Sequence, residues 1–137
     1  MGSLGAYAPT DEEEVELSLS CQPESAGIAR HAVGELARRF GAPEDEVKLA
    51  VTEAVANAVV HAYRGRTAGT ILVRARHKRE RLLVTVADDG SGMEPNPDKE
   101  GLGLGIPLIT KFCDDVRFSS SAEGTVVSMS FATTGNG

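Results

Sequence analysis

The stretch that decides the fold is Val47–Ala62, which reads VKLAVTEAVANAVVHA. It is apolar nearly all round, which is typical of a helix buried in a protein core. The polar residues Glu53, Asn57 and His61 are spaced i, i+4 and i+8, so they share one stripe along the predicted helix. An acid and an amide on an apolar helix are unfavourable unless something binds them.

This polar stripe has two interpretations. In the simpler one it faces solvent while the other faces of the helix pack. In the other, Glu53 is a carboxylate base beside Asn57, whose amide oxygen ligates a hard cation such as Mg²⁺. His61, near the predicted helix end, is more typical of a structural or capping residue than of a ligand.

Alternating and helical apolar patterns predict the other elements on both sides of this stretch. Strands are predicted at Val15–Cys21, Thr70–His77, Leu82–Ala87, Asp115–Ser120 and Thr125–Phe131, and helices at about 23–41, 43–62 and 106–112. The order is therefore β-α-α-β-β-loop-α-β-β. Hairpin strands imply antiparallel pairing, and helices should cover one face of the sheet. The sequence predicts an α/β protein, a two-layer α/β sandwich with a mixed, mostly antiparallel sheet.

Length and composition indicate one domain. The 137 residues suit a single core, and with no Trp and few other aromatics that core must be aliphatic. Residues 1–13 are expected to be a flexible acidic tail, residues 14–132 the domain, and residues 133–137 a frayed C-terminus. The net charge of −6 argues against nucleic acid as a direct partner.

Two observations indicate a cytoplasmic protein. No apolar run approaches the ~20 residues that a membrane span needs, and the first residues do not form a signal peptide. Cys21 and Cys113 lie too far apart in sequence for a metal motif, so each is expected to be a single buried thiol in a reducing compartment.

An Asp-x-Gly-x-Gly pattern follows the predicted strand Leu82–Ala87. It consists of Asp88, Gly90 and Gly92. A carboxylate at a strand end can accept a hydrogen bond from an exocyclic amine such as that of adenine, and glycines permit close backbone approach to a ligand. The alternative is an ordinary hairpin turn, because Asp-Asp-Gly turns are common.

A second glycine cluster precedes the predicted helix at 106–112. Gly101, Gly103 and Gly105 alternate with leucine, and their backbone N–H groups could form an anion site in front of the helix. The cluster is neither a Walker A loop nor a dinucleotide fingerprint. A flexible linker is the alternative, although a solvated linker would carry polar residues where this cluster has leucine.

These three motifs, in this order, resemble the Bergerat ATP site of the histidine-kinase-like ATPase (GHKL) superfamily. Over about residues 14–132 the sequence is most similar to anti-sigma-factor serine-protein kinases, whose N-box resembles Thr52–Tyr63. The resemblance implies Glu53 as general base, Asn57 as Mg²⁺ ligand and Asp88 as adenine contact. It also implies that further residues shape the pocket or contact a partner: Gly90, Gly92, Gly101, Gly103 and Gly105 around the nucleotide, Thr125 near its adenine end, and Arg30 on the first helix against a partner.

The resemblance also implies a function. The protein would bind ATP and Mg²⁺, sequester a sigma factor, phosphorylate a Ser or Thr of an anti-anti-sigma (STAS) protein, and form a homodimer. The alternative is a non-catalytic, ATP-responsive protein-binding module. Only Met93–Glu100 separates the two glycine motifs, which is a shorter lid than in better-known members, so loose ATP retention and weak kinase activity are expected.

Overall fold

The computed structural model describes residues 14–62, 69–89, 109–121 and 124–134. Its strands are β1 (Glu14–Ser20), β2 (Thr70–Lys78), β3 (Arg81–Asp88), β4 (Asp115–Ser121) and β5 (Gly124–Ala132), and its helices are α1 (Glu24–Phe40) and α2 (Glu44–Asn57). A π-helical turn, Ala58–Ala62, continues α2, and residues 109–112 are helical. The predicted tail, the glycines of both motifs and the whole predicted lid lie outside the described residues.

The strands form one sheet in the order β1-β2-β3-β5-β4. All four pairings between these described strands are antiparallel. The predicted α/β sandwich with helices on one face is therefore confirmed, and the parallel pairing that a mixed sheet would contain is not found among the described strands. The three inner strands β2, β3 and β5 bury alternate residues on the same side, which turns one face of the sheet toward the helices.

The helices pack on each other and on that face. α1 contacts β1 and β2, while α2 contacts β3. The core is aliphatic, as the composition predicts, and its largest fully buried side chains include Phe131, Ile71 and Leu82. α1 ends at Gly41, whose φ of 78° is readily adopted only by glycine and lets the chain turn into α2.

The polar helix of the sequence prediction is α-helical only as far as Asn57. Residues Ala58–Ala62 form a π-helical turn instead, so the α-helical spacing that placed His61 on the stripe ends before it. Apolar periodicity does not distinguish i→i−4 from i→i−5 hydrogen bonding. π-helical turns are rare and often occur at functional sites.

Backbone hydrogen bonds hold Thr133 and Thr134, the two residues that follow β5. The N–H of Thr133 donates to Glu80 O at 3.0 Å, and that of Thr134 donates to Gly41 O at 3.2 Å. Beneath them His77 is 2% exposed, stacked on Phe40 with ring centroids 4.1 Å apart.

Among the helices described, none combines the length and apolar composition of a bilayer-spanning segment.

Candidate nucleotide site

One row of paired residues crosses the whole sheet at the end of β3. Leu19 pairs with Ile71, Ile71 with Asp88, and Asp88 with Thr125, which also pairs with Ser120. Asp88 is the last residue of β3, so the row lies where the sheet ends and the Asp-x-Gly-x-Gly motif begins. The predicted adenine contact thus stands next to the predicted adenine-end threonine, although 37 residues separate them in sequence.

The Asp88 side chain lies on the helix-facing side of the sheet. Leu82, Val84 and Val86 of β3 are buried on that side, and Asp88 continues their alternation as a half-buried residue. Half-burial exposes the carboxylate to a ligand while limiting competition from water. This position would allow Asp88 to accept a hydrogen bond from a nucleotide base that lies between the sheet and the helices.

Thr125 is 2% exposed and therefore belongs to the floor of the site. It shares the helix-facing side of β5 with the buried residues Val127, Met129 and Phe131. The strand-end row thus brings a buried hydroxyl next to a half-buried carboxylate. The role of Thr125 in contacting a nucleotide stays a prediction.

Glu53 and Asn57 lie one turn apart on α2, and both are half-buried. They flank the fully buried face formed by Val47, Val51 and Ala54. Both interpretations of the stripe place these two residues beside a packed face, so the site roles of Glu53 and Asn57 stay predictions. α2 packs on β3, and the π-helical turn that follows Asn57 packs on β3 and β5, the two strands that carry Asp88 and Thr125.

Gly124 begins β5 with a φ of 139°, a conformation that residues with a side chain rarely adopt. A Cβ atom at this position would overlap the carbonyl oxygen of Asp88. The absence of a side chain therefore allows β5 to start directly against the end of β3.

The Gly124→Ala substitution is expected to destabilise the fold by at least about 1 kcal/mol, because it adds both backbone strain and overlap with Asp88. Because the overlap displaces Asp88, it should also weaken ATP binding. Chemical denaturation and calorimetry measure the two effects. Gly27→Ala is the matched control: the added methyl would lie 3.5 Å from the Arg30 side chain, an ordinary contact, and should leave both quantities near wild type or raise stability.

The thiol of Cys21 lies at the same end of the sheet, one residue beyond β1. Its Sγ is 4.0 Å from the carbonyl oxygen of Val59 in the π-helical turn. Burial raises the pKa of Cys21, and the neighbouring carboxylates of Asp88 and Asp89 raise it further. The thiol therefore stays protonated at neutral pH and acts as a small donor at the border of the site.

Cys113, near β4, is likewise half-buried and free of a disulfide, as predicted for single thiols. Burial, reinforced by Asp114 and Asp115, raises its pKa to about 12. Sequence reasoning missed the position of Cys21 beside Asp88. The sequence shows only that Cys21 lies at the end of a predicted strand, and this does not indicate which other strand end lies next to it.

The other predicted site residues divide into two groups. Arg30 is exposed on α1, as a partner contact requires. The predicted pocket glycines all lie outside the described residues: Gly90, Gly92, Gly101, Gly103 and Gly105. The same holds for the predicted lid, Met93–Glu100. In the parts of the chain that the structure describes, no three His, Cys, Asp or Glu side chains come together as a metal site.

A groove of about 350 Å³ lies elsewhere, on the sheet face that the helices leave open. Two of its three arginines lie close to carboxylates of the same face: Arg74 Nη2 lies 2.9 Å from Glu14, and Arg117 Nε lies 3.5 Å from Asp115. It contains neither Asp88 nor the α2 pair. The predicted nucleotide contacts Asp88 and Thr125 therefore lie at the strand-end row and not in this groove.

The sequence and fold agree with known proteins. The histidine kinase-like ATPase domain family matches residues 19–131, and the chain belongs to this family. The resemblance predicted from the three motifs is thereby confirmed.

Within the family, curated relatives bear the names serine-protein kinase RsbW and anti-sigma F factor. The chain is 32% identical over 130 residues to the serine-protein kinase RsbW of Bacillus subtilis, covering 82% of this chain and 81% of that protein. It is 31% identical over 133 residues to the anti-sigma F factor of Clostridium acetobutylicum, covering 86% of this chain and 92% of that protein.

Solved structures agree on the fold. A structure of the RsbU and RsbW domains from Mycobacterium tuberculosis matches with a TM-score of 0.71 at 21% identity, covering 92% of this chain and 33% of that chain. The histidine kinase domain of a blue-light activated kinase from Erythrobacter litoralis matches with a TM-score of 0.59 at 22% identity, covering 93% of this chain and 71% of that chain.

Proposed function

We propose that this protein is an ATP-dependent serine/threonine protein kinase that also acts as an anti-sigma factor. The observation that carries the proposal is the pairing of Asp88 with Thr125 at the sheet end, beneath a helix that presents Glu53 and Asn57. The relatives named serine-protein kinase RsbW and anti-sigma F factor support it. Its targets are a sigma factor, which it sequesters, and a STAS protein, which it phosphorylates.

The nucleotide enters with its adenine toward Asp88. The carboxylate accepts a hydrogen bond from the exocyclic amine, while Thr125 provides a hydroxyl on the adjoining strand. The half-buried position of the carboxylate makes this hydrogen bond stronger than it would be in bulk water. Adenine is thus recognised by residues that the hairpin β2–β3 and strand β5 hold in fixed register.

The residues present fit a magnesium ion. Asn57 presents one half-buried amide oxygen, and Mg²⁺ commonly takes only one or two protein ligands while keeping waters and nucleotide phosphates in its shell. When bound, the ion would neutralise charge on the transferred phosphoryl group. Asn57 would hold it at the end of α2, one turn from Glu53.

Glu53 acts as the general base. It takes the proton of the attacking hydroxyl as the hydroxyl oxygen forms a bond to the γ-phosphorus of ATP. The bond from that phosphorus to the bridging β–γ oxygen breaks, and ADP leaves. The product is a phosphoserine or phosphothreonine on the partner.

The partner surface includes α1, where Arg30 is exposed. A homodimer in the cytoplasm completes the proposal, as the family resemblance implies. The acidic net charge of −6 suits protein partners better than nucleic acid.

The proposal is tested by transfer of labelled γ-phosphate from ATP to a STAS protein encoded near the gene for this chain. We expect acid-stable label on one Ser or Thr of the STAS protein, and no transfer to a variant with that residue changed to alanine. ATP-dependent binding of the STAS protein without any transfer would contradict a kinase and favour the non-catalytic module.

A further inference from the structure

The residue that follows the predicted adenine contact makes a contact across the sheet. Asp89 Oδ1 accepts a hydrogen bond from the backbone N–H of Thr70 at 3.2 Å. Thr70 is the first residue of β2 and lies one position beyond the last β2–β3 pair, Ile71 with Asp88. The Asp89 side chain therefore extends the β2–β3 ladder by one hydrogen bond past the point where the strand β3 ends.

On the other side of β3, strand β5 holds the same two residues. Thr125 pairs with Asp88, and the missing side chain of Gly124 lets its backbone approach Asp88 and Asp89. The end of β3 is thus held from β2 by a side-chain hydrogen bond and from β5 by close backbone packing. Of these two contacts, only the first depends on the identity of residue 89.

We infer that Asp89 is a positioning residue, which fixes the direction of the Asp88 carboxylate through its hydrogen bond to Thr70. The inference rests on the proposed function, because Asp88 is taken to contact adenine. A hydrogen bond weakens steeply when its angle is poor, so rotation of the Asp88 peptide would reduce recognition of the adenine amine. The two successive aspartates therefore have separate roles: Asp88 binds adenine, and Asp89 holds the Asp88 carboxylate in the orientation that this binding requires.

The test compares Asp89→Ala with Asp89→Asn. Asparagine keeps a carbonyl oxygen that accepts the Thr70 N–H, whereas alanine does not. With Asp89→Ala we expect the Kd for ATP to rise by about 3- to 10-fold, because a misdirected Asp88 carboxylate loses part of its hydrogen bond to adenine, and the preference for ATP over GTP to fall by a similar factor. Asp89→Asn should stay within about twofold of wild type in both measurements.

A second variant removes the donor at the other end of the same bond. Thr70→Pro lacks the N–H, and proline is tolerated at the first residue of a strand. It should reproduce the loss of ATP preference, and the double variant with Asp89→Ala should lose no more than either alone. This pair keeps the inference testable if Asp89→Ala does not fold.

The possible outcomes separate this inference from the proposed function. Failure of the wild-type protein to bind ATP would remove both. Normal wild-type binding with unchanged ATP affinity and unchanged ATP preference in Asp89→Ala would remove the inference alone, even if the melting temperature falls. Equal losses in Asp89→Asn and Asp89→Ala would overturn it too, because charge rather than the hydrogen bond would then be responsible.

Discussion

Replacing Glu53 with alanine is expected to lower the rate of phosphoryl transfer by about 10²–10⁴-fold and to leave the affinity for ATP nearly unchanged. A general base acts on the proton that moves in the transition state, so its removal affects kcat more than ground-state binding. Single-turnover transfer from labelled ATP measures the rate, and calorimetry measures the affinity.

Two variants make this experiment specific. Glu53→Gln keeps the shape of the side chain and removes the base, so it should be nearly as slow as Glu53→Ala. Glu46→Ala removes an exposed glutamate from the first turn of the same helix and should transfer at the wild-type rate. An unchanged rate in Glu53→Ala would exclude Glu53 from the chemistry.

The second large effect concerns adenine recognition. Asp88→Asn is expected to weaken ATP binding by about 10-fold, because a hydrogen bond to a charged acceptor contributes about 1.5–3 kcal/mol and one to a neutral acceptor only about 1 kcal/mol. The amide also presents its own NH₂ donors toward the adenine amine if the side chain turns over. Titration calorimetry in the presence of Mg²⁺ measures the change directly.

The matched control for this prediction is Asp115→Asn. Asp115 is an exposed aspartate on β4, beside Arg117 in the groove on the open sheet face. Its change to asparagine alters the net charge by the same amount and should leave ATP binding at the wild-type level. Wild-type affinity in Asp88→Asn would mean that the adenine assignment is wrong.

Much of the fold could be predicted from periodicity. The helix around Glu53 and Asn57 packs in the core because its apolar residues are spread around most of its circumference. The strands lie close to where the sequence alternates apolar and polar residues. Asp88 could be predicted as a site residue because a carboxylate placed between a strand and glycines is a local pattern. The family resemblance put Thr125 near the adenine end of the same pocket, and the register of β3 with β5 pairs Thr125 with Asp88.

The remaining features depend on contacts between distant parts of the chain. The bond from Thr70 to Asp89 spans 19 positions and exists only because the β2–β3 hairpin has one particular register. Cys21 meets Val59 across 38 positions, where the end of β1 faces the turn after α2. The π-helical turn at Ala58–Ala62 involves a change of backbone hydrogen bonding that side-chain periodicity does not encode.

We propose that the nucleotide binds at the strand-end row and not in the groove on the open face of the sheet. Two-dimensional NMR of the isotope-labelled protein, titrated with Mg²⁺ and a non-hydrolysable ATP analogue, tests this most directly. We predict that the largest backbone shift changes occur at Asp88, Thr125 and Asn57, with little change at Arg74 and Arg117. Large changes at the two arginines with none at Asp88 would contradict the account.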